Sequence, residues 1–266
     1  MKLRLPLRRG WPGLVGLATG LVLWWQGRPV RPPRPPAPPL AAPLLQRLAE
    51  NVTVKVVVGQ NWGSGVLVAR QGTTYTLVTN QHVLEGDSRA TDYQVLTPDG
   101  HRYPAQPLPA PPTQADVAAL RFRSTQTYPL ACPQPHLPTA GEPVFAAGFP
   151  FPTEGQTDPG LVFTTGQVSW VLPQPLEGGY RLGYTNAVEK GMSGGPVLNR
   201  YGRLVALNGM HKDPLWGDPY RYADGTLPDP ALRSRLGDSS WGIPIGQVWQ
   251  ELGLGTPACA SAPSGA

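Results

Sequence analysis

From residue 51 onward the apolar positions fall in short runs rich in Val, Leu, Thr and Tyr, each broken by Gly, Pro, Asn or Asp. Runs of that length between turn-forming residues predict β-strands. They lie at 52–58, 65–69, 75–79, 93–96, 117–122, 144–147, 163–170, 181–185, 196–198, 204–207 and 241–243. Helical periodicity is almost absent, and the one helix expected is a short closing segment at 247–252. Eleven strands are too many for one small closed barrel, so the pattern implies an all-β protein with more than one barrel or sheet.

Ahead of this region the pattern changes twice. Residues 11–25 form an apolar stretch behind a basic flank, at signal-peptide length and short of a comfortable membrane span. No A-x-A cleavage signal follows Trp25, so segment 1–28 reads as an N-terminal membrane anchor in preference to a cleaved signal peptide, with both fates open. Residues 29–43 then carry 8 prolines in 15 positions, which predicts an extended stalk or linker over 29–44. Residues 254–266, small and proline-containing, read as a tail.

Composition narrows the function classes. Of 266 residues 40% are hydrophobic, enough for a sizeable core. The formal charge of +5 is misleading, because 7 of the 22 basic residues precede residue 35 and every acid lies at Glu50 or later. From residue 35 on, 15 basic residues face 17 acidic ones, and the balance of −2 does not support a nucleic-acid surface. The only cysteines are Cys132 and Cys259, too few for a structural zinc site. An exported chain permits a disulfide between them, and two unpaired thiols are the alternative.

The chemistry concentrates at Lys190-Gly191-Met192-Ser193-Gly194-Gly195-Pro196. A serine among glycines reads as a nucleophile, since the backbone can turn tightly and aim two N–H groups at one oxygen. The same residues fit G-x-S-x-G, but an α/β-hydrolase elbow needs an acid and then a histidine after the serine. Only His211 follows Ser193, with no Asp or Glu between, whereas His82 and Asp116 precede it. An isolated Asp or His in a β-domain is usually a turn residue or a satisfied polar group; the order His, Asp, Ser in matching segments argues otherwise.

Seven segments, in order, carry a resemblance: Gly63-Ser64-Gly65-Val66-Leu67-Val68, Thr79-Asn80-Gln81-His82-Val83, Asp116-Val117-Ala118-Ala119-Leu120, Gly148-Phe149-Pro150, Thr165-Gly166-Gln167-Val168-Ser169, Gly191-Met192-Ser193-Gly194-Gly195-Pro196 with Asn199, and Trp241-Gly242-Ile243-Pro244-Ile245. Together they resemble the trypsin-like serine peptidases, HtrA/Deg branch, over most of residues 50–252. The resemblance implies two six-stranded antiparallel β-barrels and a short C-terminal helix. The peptidase domain would span 45–253, with the first barrel near 45–125, the second near 138–250 and a proline-rich crossover at 129–139. No room for a PDZ domain is expected after the closing helix.

It further implies a catalytic triad of His82, Asp116 and Ser193, with the ring of His82 bonding both partners, and an oxyanion hole from the N–H groups of Gly191 and Ser193. Ala187, six residues before the serine, would floor the substrate pocket, with Val188, Leu207, Asn208 and Gly209 as walls. Those uncharged residues imply a loose preference for small or aliphatic side chains before the scissile bond. His101 and His136 are expected to be exposed, and His211 to have a structural or rim role. Residues 212–239 depart from the pattern as a long insertion; Asp213, Asp218, Asp224 and Asp229 lack calcium-loop spacing, and the stretch reads as a solvated specificity or gating loop.

The expected protein is thus an exported, membrane-tethered serine endopeptidase acting on unfolded or damaged polypeptides, without cofactor or metal. A peptidase-like module that binds peptides without cutting them is the alternative, and an esterase of the same fold is a third reading.

Overall fold

The structure is a computed structural model that describes residues 38–86, 92–134, 136–155, 157–212 and 219–255. The expected anchor at 11–25, most of the stalk, Cys259 and the tail from 256 lie outside the described residues. Among those described, no helix is long and apolar enough to cross a membrane.

The chain enters through α1 (Ala42–Val52) and β1 (Thr53–Val58), then runs through β2 (Asn61–Gln71), β3 (Thr74–Thr79), the single turn α2 (Gln81–Leu84), β4 (Tyr93–Leu96), β5 (Arg102–Pro107) and β6 (Ala118–Arg123). Short β7 (Cys132–Pro133) leads to β8 (Pro143–Gly148), β9 (Val162–Val171), β10 (Leu182–Tyr184), β11 (Pro196–Asn199) and β12 (Arg203–Met210). The chain ends in α3 (Pro230–Leu236), β13 (Ser240–Pro244) and α4 (Ile245–Glu251). Strands β1-β2-β3-β6-β5-β4 close one antiparallel barrel; β11-β8-β9-β10-β13-β12 close a second through the β11–β12 pairing, and β7 adds to β12 in parallel.

Two apolar faces on one strand explain the unbroken hydrophobic runs. In β2, Leu67 points into the first barrel while Val66 and Val68 face outward into a second core; β3 does the same with Leu77 and Val78, and β6 with Leu120 and Ala119. That outer core also takes Leu198, Leu204 and Leu207 from β11 and β12, so the barrels are joined by apolar packing rather than linked through solvent. A strand buried on both faces loses the polar alternation of a half-buried one.

Three segments differ from the sequence reading. Residues 42–52 form a helix, where the stalk was expected to give way to a strand, because Leu45, Ala49 and Val52 repeat at helical spacing behind Pro43 and are all buried. β5 was missed because Pro104 and Pro107 suggest a linker; antiparallel pairing uses each neighbour's N–H only at alternate positions, so a strand tolerates proline off the ladder. The stretch read as a solvated insertion instead buries Tyr220, Tyr222 and Leu236 in the outer core. There Asp229 caps α3 by accepting from Ala231 N–H, and Asp224 accepts from Thr226; Asp213 and Asp218 are outside the described residues. Cys132 is no free thiol; Cys259, its partner in one of the two readings, lies outside the described residues.

Candidate active site

The first barrel supplies a ring and a carboxylate. β3 ends at Thr79, and α2 follows at once, so His82 is fixed three residues beyond a core strand. Asp116 sits just before β6, with its N–H donating to Gly178 O at 2.9 Å and its carbonyl accepting from Asn80 Nδ2 at 2.8 Å. His82 Nδ1 lies 2.6 Å from Asp116 Oδ2, and the His82 backbone N–H donates to Asp116 Oδ1 at 2.9 Å. Two bonds to one carboxylate fix both the position and the tilt of the imidazole, and an Nδ1–H bonded to the acid leaves Nε2 as the basic nitrogen.

A third donor was not foreseen. The hydroxyl of Tyr180, from the turn before β10, donates to the same Asp116 Oδ2. Burial of Asp116 works to raise its pKa, yet the hydrogen bond and charge of His82, the Tyr180 hydroxyl and the His82 N–H together hold it below the ordinary carboxylate value. Tyr180 is pushed well above the usual phenol range, first by burial and then by the Asp116 charge, so it remains a donor. Its ring packs where a side chain on Gly209 would be: a Cβ there would lie 2.3 Å from Tyr180 Cε1. A tyrosine 64 positions after the aspartate leaves no signal in local sequence.

The second barrel supplies the alcohol and the turn around it. Ser193 lies between β10 and β11, in a turn closed by Met192 N–H to Glu189 O at 3.0 Å and Gly195 N–H to Met192 O at 3.1 Å. Gly194 has φ +83°, and a Cβ on it would stand 2.1 Å from Ser64 O, so this close approach of the two barrels requires glycine. Gly191 likewise has φ +97°, and a Cβ there would meet Phe149 O at 2.5 Å.

Peptide planarity then sets the direction of two N–H groups. Lys190 O accepts from Phe151 N–H at 2.9 Å, and Met192 O accepts from Gly195 N–H. In a trans peptide the N–H points opposite to the carbonyl, so the Gly191 and Ser193 N–H groups face away from those partners. Among the described residues neither donates to a protein acceptor. Ser64 supports the same loop, donating its hydroxyl to Gly191 O at 2.9 Å and its N–H to Ser193 O at 2.8 Å.

His82, Asp116, Gly191, Ser193 and Gly209 all line one cavity of about 690 Å³, together with Trp62, Phe151, Tyr180, Met210 and His211. In one respect the expected geometry is not met. The Ser193 hydroxyl donates to Gly209 O at 3.1 Å, and among the described residues it makes no hydrogen bond to His82. Serine χ1 has three staggered wells, and this one satisfies the hydroxyl on the nearest carbonyl; catalytic bonds in unliganded sites are often longer or misaligned.

The expected pocket walls are only partly assembled. Gly209 lines the cavity; Ala187, Val188, Leu207 and Asn208 do not. Ala187 faces solvent, Val188 packs into the second barrel and Leu207 joins the core between barrels. Asn208 is fully buried, accepting from Tyr184 OH at 2.7 Å and donating to Ala147 O at 3.1 Å, so its polar groups are committed to the fold. Lys190 lies over the Phe151 ring at 5.7 Å, and His101 and His136 are exposed. No group of three metal-ligating side chains occurs among the described residues.

Comparison with known proteins agrees with the architecture. The family description of the trypsin-like peptidase domain matches residues 63–207. The chain is 31% identical over 155 residues to serine protease HTRA2, mitochondrial, of Bos taurus, which covers 56% of this chain and 31% of that protein. It is 27% identical over 146 residues to a probable periplasmic serine endoprotease, DegP-like, of Chlamydia pneumoniae, covering 55% of this chain and 28% of that one. The chain thus spans about a third of the length of these relatives. The crystal structure of the serine endoprotease from Yersinia pestis superposes with a TM-score of 0.58 at 20% identity, over 80% of this chain and 66% of that one, which supports the fold.

Proposed function

Because this chain belongs to the trypsin-like peptidase family, whose domain it matches over more than half its length, we propose that it is a serine endopeptidase with His82, Asp116 and Ser193 as its catalytic residues. The observation that carries the reading is the carboxylate–imidazole pair of Asp116 and His82 in one cavity with the Ser193 hydroxyl and two undonated N–H groups. Ser193 Oγ attacks the substrate carbonyl carbon while His82 Nε2 takes its proton, and Asp116 stabilises the imidazolium. The oxyanion rests on the Gly191 and Ser193 N–H groups; one such donor is worth roughly 2.7–4 kcal/mol in the transition state. Collapse breaks the C–N bond as His82 returns the proton to the leaving amine, and water then hydrolyses the acyl-enzyme by the same route. For acylation the Ser193 hydroxyl leaves Gly209 O for the ring.

Finer parts of the proposal concern substrate and place. A groove lined by Trp62, Phe151 and Met210 suits unfolded or damaged polypeptides, whose apolar side chains are accessible. A loose preference for a small or aliphatic residue before the scissile bond is supported by the uncharged Gly209–Met210 edge beside Ser193. The basic flank and apolar stretch at 11–25, with the periplasmic name of the DegP-like relative, support export and tethering to a membrane.

The Ser193–Gly209 bond favours one rival, a peptide-binding module that does not cut. Labelling with a fluorophosphonate separates the two. Wild type is expected to label covalently, with Ser193→Ala unlabelled and its turnover lowered by a factor on the order of 10⁴ to 10⁶; a folded wild-type protein that never labels refutes the peptidase reading.

A further inference from the structure

Lys55 is a nearly buried lysine on the outer face of a first-barrel strand. It lies on β1 between Val54 and Val56, and its side chain is only 9% exposed. Its ammonium reaches out of the first barrel to Asp158, in the loop between β8 and β9 of the second, with Nζ to Oδ2 at 2.5 Å. The same ammonium stands 4.5 Å from the Trp62 ring centre and 5.3 Å from that of Phe149. The other carboxylate oxygen of Asp158 accepts from Gly160 N–H at 2.9 Å, which folds the loop back on itself.

Mere adhesion does not account for this. A lysine is rarely buried without a partner, and a hydrophobic residue of similar volume generally stabilises such a site at least as well as an ion pair. What an ammonium adds is direction: it must sit where one carboxylate and two aromatic faces converge, and it thereby ties Phe149 and Asp158 to the first barrel.

Phe149 and the nearby Phe151 are the support of the candidate oxyanion donor. Trp62 Nε1–H donates to Phe149 O at 3.0 Å, and the Trp62 and Phe151 rings lie 4.4 Å apart. Phe149 N–H donates to Ser64 Oγ, which donates onward to Gly191 O, each at 2.9 Å. Phe151 N–H holds Lys190 O. Residues 149 and 151 therefore fix the peptides on both sides of Gly191, and releasing them frees the Lys190–Gly191 peptide to turn its N–H out of the cavity.

We propose that Lys55 and Asp158 form an inter-barrel latch that positions the Gly191 N–H for oxyanion stabilisation; both act through Phe149 and Phe151, and the proposal rests on the peptidase reading above. The test measures kcat and KM on a peptide amide, the inhibition constant of a peptide boronic acid and the thermal midpoint. Asp158→Asn keeps the shape of a half-exposed side chain and removes its charge. It should lower kcat roughly ten- to a hundredfold, less than outright loss of an oxyanion donor, with KM within about threefold. Boronate inhibition should weaken in parallel with kcat, because its tetrahedral oxygen occupies the same hole. The melting point should fall by several degrees, because Lys55 is left nearly buried without its carboxylate, so rates are compared well below the variant's midpoint; Asp158→Glu should recover most of the rate. Lys55→Met is expected to reproduce the loss with the aromatic packing retained.

Wild-type kcat in Asp158→Asn, a loss that appears in KM instead, or a loss that Asp158→Glu fully shares overturns the latch and leaves the peptidase reading intact. A wild type that neither labels nor turns over substrate overturns both.

Discussion

Tyr180→Phe removes one oxygen from the site and leaves nearly all packing in place. In the native protein that oxygen donates to Asp116 Oδ2, while both His82 bonds to the carboxylate are independent of it. A hydrogen bond to a charged acceptor contributes about 1.5–3 kcal/mol net, so the variant should lose that much stability at neutral pH. In a chain of this size the change corresponds to roughly 2–4 °C of melting temperature per kcal/mol. The loss has a defined pH dependence. Asp116 titrates below its ordinary value in the folded protein, so the stabilisation it provides is present above the unfolded value of about 3.9 and is lost as pH falls through the lower folded value. Removing a donor raises the folded pKa towards the unfolded one, so the gap between wild type and variant is largest at neutral pH and narrows below about pH 3.9. Urea denaturation across that range measures it directly. Turnover should largely persist in Tyr180→Phe, whereas Asp116→Asn, which sets the wrong imidazole tautomer, should lose a factor on the order of 10⁴. Equal stability of wild type and Tyr180→Phe at pH 7, or a gap as wide in acid as at neutrality, would refute a stabilising bond from Tyr180 to the Asp116 carboxylate.

Two further substitutions probe how the barrels assemble the site. Gly194→Ala places a Cβ 2.1 Å from Ser64 O and 2.3 Å from Thr79 Oγ1 at φ +83°. The left-handed conformation alone costs about 1–2 kcal/mol, and the clash should push the Ser193 turn off the first barrel, seen as lost fluorophosphonate labelling and new protease-sensitive sites near residue 194. Leu207→Ala empties a fully buried position between the barrels and should destabilise by about 2.7–5 kcal/mol in denaturant titration. A loss below about 1 kcal/mol there would mean the barrels are not held together by that core.

The legible parts of this protein are those encoded over a few consecutive residues. Short apolar runs between turn formers marked most strands, and glycines at 191 and 194 marked a turn that only glycine can make. The chain order of His82, Asp116 and Ser193 was enough to separate two fold classes. Where the reading failed, a local rule met a tertiary exception: Pro104 sits within a central strand, Leu45 and Ala49 complete a helix only because the second barrel covers them, and the tyrosines of the insertion are buried.

Local pattern settles the backbone state of a residue because the forces that set it, steric limits and the periodicity of burial, act over a few positions. Which distant group a polar side chain meets is set by how two closed barrels dock, and nothing near Tyr180, Lys55 or Ser64 in the chain distinguishes the partner it finds. The docking also turned Leu207 into the core between the barrels, while closure of the second barrel itself committed Asn208 to Tyr184 and gave the Ser193 hydroxyl to Gly209. The sequence alone therefore determined the strands and the chemical groups available; only the tertiary structure decided which of them share a site, because that choice depends on contacts across the barrel interface.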